Sequence, residues 1–139
     1  MLKLSTKGRY GLRAMIDLAG SFEKEPVLMA KIAERQGFSR KYLHALLTSL
    51  KDAGLVQSIR GSRGGYMLAK SADEIRISEV VEALEGPLSI VDCLHEEEVC
   101  SRTDECLARG MWKELNTAMA GVLTNTTLAD LANQNKKKK

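Results

Sequence analysis

The sequence predicts a mainly α-helical fold with one small β-hairpin, on three observations. Apolar residues recur at three- and four-residue spacing in several separate stretches, the pattern of helices with one buried face. One stretch alternates instead: "LVQSI" runs through the glycine- and arginine-rich "RGSRGG" into "YML". Aromatic residues make up only 4% of the chain, which leaves Leu, Met and Ala to fill the helix seams.

Ser5 is placed to cap a first helix whose Leu12, Met15, Ile16 and Ala19 share a face and which ends near Gly20. "EKEP" breaks the chain. "LMAKIAERQG" gives a short second helix with Ile32 and Ala33 inward and Gly37 just past its end. Ser39 caps the third, "RKYLHALLTSLKDAG", where Leu43, Leu46, Leu47 and Leu50 form one apolar stripe and Gly54 supplies the stop. Two helices joined by a tight turn at Gly37 and followed by a hairpin have the order of a winged helix-turn-helix.

The loop in "RGSRGGYML" decides between two chemistries. A phosphate-binding loop ends in Lys-Ser/Thr and opens a helix, so that terminal N–H groups face the phosphates. Here Gly64-Gly65 opens an extended run and no Lys-Thr follows. The glycines suit a tight reversal, with Arg60 and Arg63 held out toward a phosphate backbone or minor groove. An ordinary hairpin with two solvated arginines is the plainer alternative.

Away from its leucines, the third helix presents Ser39, Arg40, Lys41, Tyr42 and His44 near its start, where helix-turn-helix proteins meet base edges and phosphates. For His44, base contact and a plain surface role both stay open. Lys7, in the basic opening stretch, joins them as a candidate DNA contact. Charge agrees with this division. Residues 1–70 hold 13 Lys and Arg against 5 Asp and Glu, a net +8, while residues 71–139 hold 8 against 13, a net −5. A polyanion partner for the first half explains that asymmetry, and a solvated surface of uneven charge is the alternative.

After the hairpin, "ISEVVEALEGP" predicts a helix with Ser78 as cap, Val80, Val81 and Leu84 inward, and Gly86-Pro87 as stop. A long helix follows from about Leu107, its Trp112, Leu115, Met119 and Val122 spaced three, four, three like a coiled-coil seam. Alone it would expose that stripe, so a second copy of the chain is the expected cover. "TTLADLA" closes with Thr127 and Asp130 as a capping-box pair. The fold class is thus a winged helix-turn-helix domain plus a long C-terminal dimerisation helix. The expected division is 1–86 for DNA binding, 87–106 for a cysteine-containing sensor loop, 107–132 for dimerisation and a short closing helix, and 133–139 for a basic tail. No apolar run has the length of a signal peptide or membrane span, so the expectation is a cytoplasmic protein without a membrane partner.

Cys93, Cys100 and Cys106 fall within one short stretch of the acidic half, with six and five residues between them. An odd count without a secretion signal argues against a disulfide framework. From the residues alone, three thiolates suit an iron–sulfur cluster, or zinc with His95 as fourth ligand. A metal-free thiol sensor tuned by Arg102 and Arg109 stays open, as do inert side chains. Catalysis is not expected: no Ser-His-Asp set or acid–base carboxylate pair stands out, and the two histidines lie in the third helix and the cysteine loop.

"LSTKGRYGLRAM", "IAERQGFSRKYL", "LVQSIRGSRGGYML", "EALEGP", the three-cysteine loop and "TTLADL" together resemble the family of small winged-helix regulators that includes IscR, NsrR and CymR. The likeness runs from residue 1 to about 131. It implies a homodimeric bacterial transcription factor, usually a repressor of a pseudo-palindromic operator, with the long helix exchanged across the dimer. In cluster-binding branches the cysteine loop holds an iron–sulfur cluster, two-iron in IscR-like members, and the resemblance places it on Cys93, Cys100 and Cys106. The IscR-like branch takes its fourth ligand from a His where this chain has Arg109. The nitric-oxide-sensing branch uses an acid from the partner's first helix, and residues 5–13 contain none. His95, Glu96–Glu98, Asp104 and Glu105 are the substitutes within reach in sequence. Where IscR has Glu and Gln in its recognition helix, this chain has His44 and Ala45, so its base preference is its own. Members like CymR imply an alternative, control by a protein partner or by thiol oxidation without a cluster.

Overall fold

A computed structural model of the chain describes residues 4–20, 25–91, 94 and 105–137. The first helix, α1 (Thr6–Gly20), is capped as expected: Ser5 Oγ accepts from the Gly8 N–H at 3.3 Å. Its deepest line is Gly8, Gly11, Ala14, Met15 and Leu18, with Leu12, Ile16 and Ala19 only half-buried beside it. Close approach is the reason. A Cβ on Gly11 would lie 2.1 Å from Leu84 Cδ1, and one on Gly8 2.3 Å from Glu85 Oε1. These two glycines therefore let a later helix lie directly against the α1 backbone.

The second helix, α2 (Met29–Gln36), buries Ile32 and Ala33 and ends at Gly37 with φ 73°, the left-handed stop that glycine adopts freely. Ser39 caps α3 (Arg40–Asp52), accepting from the Tyr42 N–H at 3.1 Å. Leu43, Leu46, Leu47 and Leu50 are fully buried, and burying each contributes about 1.5–3 kcal/mol. The four together, at about 6–12 kcal/mol, rival the ~5–15 kcal/mol of net stability a domain retains, which makes this stripe the centre of the core.

The hairpin pairs β1 (Val56–Ile59) with β2 (Gly65–Leu68), Val56 opposite Leu68 and Ile59 opposite Gly65. Val27 adds a third, single-residue strand through two 2.8 Å backbone bonds with Tyr66. Gly65 permits this seating, since its φ is 152° and a Cβ there would lie 2.4 Å from Val27 O.

After a short 3-10 turn at Ala72–Glu74 comes α4 (Ile77–Glu85), which buries Val80, Val81 and Leu84 as expected. Its cap is different from the expected one. Ser78 is buried inside the helix; Arg76 holds the cap position, and its N–H donates to Glu79 Oε2 at 2.8 Å. An acid at the third helical position can satisfy the cap backbone whatever side chain the cap residue carries.

The long helix α5 (Arg109–Asn125) has no buried residue, and Met111, Leu115 and Val122 are exposed. Among the described residues, no helix is long and apolar enough to cross a membrane. The last helix, α6 (Leu128–Lys137), starts at the expected box: Thr127 N–H donates to Asp130 Oδ2 at 2.9 Å and Asp130 N–H to Thr127 Oγ1 at 3.1 Å. It packs on α1, and Leu128 is fully buried in the same core as the α3 leucines. Two backbone bonds of 2.9 Å stitch it there, Leu128 N–H to Ile75 O and Ile77 N–H to Thr126 O. The helix also runs on through Lys137, into the segment expected as a tail.

The Thr127 backbone N–H, and next its hydroxyl, hold the Asp130 carboxyl below the usual carboxylate range. A depressed folded-state pKa adds stability that is present above the unfolded value and is lost as pH falls through the folded one. Thr127→Ala should cost about 1 kcal/mol in denaturant melts. The stability gap between wild type and Asp130→Asn should be widest near neutral pH and close as acid protonates Asp130.

Candidate nucleic-acid interface and sensor segment

At the start of α3, Ser39, Arg40, Lys41 and His44 are exposed, with Ala45 and Thr48 continuing the same outer face. Arg60 and Arg63 are exposed on the wing, and Lys7 is exposed in the first turn of α1. Among the described residues, Lys7, Arg40, Lys41, Arg60 and Arg63 make no ion pair, so their charge is available to an external anion. The wing turn closes through Gly64 N–H to Gly61 O at 3.0 Å, and a Cβ on Gly64 would meet Ile59 O at 2.2 Å. A cleft of about 680 Å³ between wing and α2 is lined by Lys31 and Arg35 as well as Arg63. Lys31 was not legible as part of this surface, because only the Val27 pairing brings α2 to the wing.

Tyr42 has a different position from its neighbours. It is half-buried, its ring edge-on to Tyr10 at 6.0 Å, and Tyr10 stacks on Phe38 at 4.9 Å. The Arg13 guanidinium lies 4.9 Å from the Phe38 centroid and 5.3 Å from that of Tyr10, and donates to Gln36 O at 2.8 Å. Arg13 thus joins α1, the end of α2 and the turn into α3, with its charge at a helix C-terminus where cations are favoured. Arg35 pairs with Asp17 at 2.7 Å, and Gln36 Nε2 donates to the same carboxylate at 2.9 Å. Two of the basic residues in the first half therefore brace the helix-turn-helix itself. Sequence reading passed over Tyr10, Arg13 and Phe38, whose partners lie on different elements.

The segment leading to the cysteines is tied at both ends. At the end of α4, Glu85 Oε1 accepts from Ser5 N–H at 3.1 Å, Gly8 N–H at 3.2 Å and the Ser5 hydroxyl, so a carboxylate meets the positive end of α1. Further on, the Asn116 side chain of α5 pairs with the backbone of Leu88 and Ile90. Cys93, Cys100, His95, Glu96–Glu98 and Asp104 lie outside the described residues. Cys106 is an exposed free thiol three residues before α5, its carbonyl accepting from Arg109 N–H at 3.3 Å; Glu105 is exposed beside it. Among the described residues, no three His, Cys, Asp or Glu side chains gather as a metal site.

Residues 4–134 match the model of the Rrf2 family, described as iron-dependent transcriptional regulators. The chain belongs to the Rrf2 family. The HTH-type transcriptional regulator IscR of Serratia proteamaculans is 41% identical over 132 residues, covering 95% of this chain and 80% of that protein. Among solved structures, CymR, the global cysteine regulator of B. subtilis, is 42% identical with a TM-score of 0.80, over 96% of this chain and 98% of that one. T. potens IscR is 37% identical with a TM-score of 0.82, over 99% and 91%. This Rrf2 member is accordingly a winged-helix transcriptional regulator that binds DNA, and not an enzyme.

The division between charge and bracing residues predicts a split in salt dependence. Arg60→Ala or Arg63→Ala should weaken duplex binding and reduce the slope of log affinity against log salt by about one for each phosphate no longer neutralised. Tyr10→Leu, which loosens the support of α3 without removing charge, should weaken binding with the slope unchanged. Fluorescence anisotropy across a salt series checks both, and a wing double variant with the wild-type slope would remove the wing from the interface.

Proposed function

We propose that this Rrf2 member is a cytoplasmic homodimeric repressor of a pseudo-palindromic operator, controlled by an iron–sulfur cluster on Cys93, Cys100 and Cys106. Ser39, Arg40, Lys41 and His44 would meet base edges and phosphates in the major groove, with Tyr42 supporting them from the Tyr10 stack. Lys7, Arg60 and Arg63 would hold the flanking backbone. The observation that carries the reading is α5, 17 residues without one buried side chain, with Leu115 and Val122 exposed on one flank. An apolar helix of this kind is stable in water when a second copy covers it, and a two-fold dimer matches half-sites about 34 Å apart.

The donor set fits an iron–sulfur cluster: three thiols close in sequence, the described one exposed next to the start of α5. A bound cluster of the two-iron type would supply a redox-sensitive link among the three sulfurs. The chain's own part is to tie that loop to two elements, to α1 through Glu85 at the end of α4 and to α5 through Asn116. Ordering the loop would favour one spacing of the recognition helices, to the extent that the loaded form differs in affinity for the two arrangements.

The likeness to CymR, at 42% identity, favours a second reading, in which a protein partner or thiol oxidation acts on the same loop without a cluster. Purification without oxygen, with iron and sulfide analysis, separates the two. The cluster reading expects brown protein, and expects Cys93→Ala, Cys100→Ala and Cys106→Ala each to abolish iron uptake while leaving a folded dimer. Colourless wild-type protein, free of iron and sulfide, would overturn it.

A further inference from the structure

The wing is fastened to the helix-turn-helix. Val27, two residues before α2, exchanges two 2.8 Å backbone bonds with Tyr66 of β2, Val27 N–H to Tyr66 O and Tyr66 N–H to Val27 O. Gly65 makes the seating close, because a Cβ there would lie 2.4 Å from Val27 O. Paired backbones lie about 4.8 Å apart, so the hairpin and the start of α2 keep one separation. From this junction the wing turn carries Ser62 and Arg63 outward, both exposed. The cleft of about 680 Å³ lies between the two elements. Its charged lining, among the described residues, is Lys31 and Arg35 of α2, Arg63 of the wing and Glu25.

The three cations are not equivalent. Arg35 is committed to Asp17 at 2.7 Å, a carboxylate that also accepts from Gln36. Lys31 and Arg63 are exposed and, among the described residues, make no ion pair. They line one cleft from two elements whose separation the backbone bonds fix, so an anion between them meets both charges at once. Ser62 adds a hydroxyl donor on the wing side. The position of the cleft selects the anion. It continues the wing surface, and the first helix of a helix-turn-helix crosses the DNA backbone while the second enters the groove. We infer that this cleft seats a segment of one DNA strand's sugar–phosphate backbone, held jointly by Lys31 of α2 and Arg63 of the wing. Lys31 is then a further DNA contact, one that positions the protein without reading sequence. The inference rests on the DNA-contact reading of the wing arginines and extends it to α2.

The test measures binding of full-length protein to a mixed-sequence duplex across a salt series. It compares wild type with Lys31→Ala, Lys31→Arg, Arg63→Ala, the Lys31→Ala/Arg63→Ala double variant and Lys51→Ala. Lys51, exposed in the last turn of α3, is a control with the same change of net charge. Lys31→Ala should weaken binding and reduce the slope of log affinity against log salt by about one. Lys31→Arg should keep affinity and slope, and Lys51→Ala should keep the slope. The double variant should lose less than the product of the two single losses, because residues that hold one partner are coupled. A wild-type slope in Lys31→Ala beside a reduced slope in Arg63→Ala would overturn the inference and leave the wing contact standing. Wild-type slopes in both would overturn the wing reading with it. Single losses that multiply in the double variant would mean two separate contacts and rule out the shared cleft, and an equal slope change in Lys51→Ala would reduce the effect to net charge. Inorganic phosphate at constant ionic strength supplies the last arm. Competition with DNA that Lys31→Ala abolishes without changing the slope would assign the cleft to a small anion, against the inference.

Discussion

Two backbone hydrogen bonds, between Ile75–Ile77 and Thr126–Leu128, set the architecture on which the rest of the molecule depends. They tie the C-terminal end of α5 and the start of α6 to the turn before α4. Leu128 then occupies the same buried cluster as the α3 leucines. The C-terminal end of α5 and the recognition helix are consequently parts of one packed body, and packed cores have discrete arrangements instead of deforming gradually. In the proposed dimer, a signal from the cysteine segment would act through the N-terminal half of α5 and the second copy packed on it.

The charge asymmetry of the chain gains meaning from this arrangement. Arg13 and Arg35 serve inside the helix-turn-helix, holding the end of α2 against α1, and the charge of Arg35 is met there by Asp17. Arg40, Lys41, Arg60, Arg63 and Lys7 keep their charge outward. Exposed ion pairs contribute little to stability, whereas each phosphate neutralised adds directly to salt-dependent affinity. In the proposed DNA contact the outward charges would matter to binding and hardly to folding, while the Tyr10–Phe38–Tyr42 stack fixes the start of α3.

Much of the fold was legible because local rules carry it. The α3 stripe, the Ser39 cap, the Gly37 stop, the Thr127–Asp130 box and the alternating wing each depend on neighbours within a few residues. What sequence reasoning missed depends on distant partners. Gly8 and Gly11 count for nothing in an apolar pattern, yet their missing side chains admit α4. Ser78 looked like a cap because it is a good capping residue, while Glu79 had already satisfied the Arg76 backbone. Asn116 looked like an ordinary polar position on an amphipathic helix, since nothing near it in sequence names Leu88 and Ile90. Of the three cysteines, Cys106 is exposed beside α5, and the other two lie outside the described residues.

In the proposed control, the state of the cysteine loop sets the separation of the two recognition helices. Pulsed electron-resonance distances between labels on non-canonical residues introduced at Thr48, exposed on α3, measure that separation across the dimer. Distributions should differ between iron-loaded and iron-free protein, with the tighter-binding form centred at about 34 Å. Superimposable distributions in the two forms would contradict it.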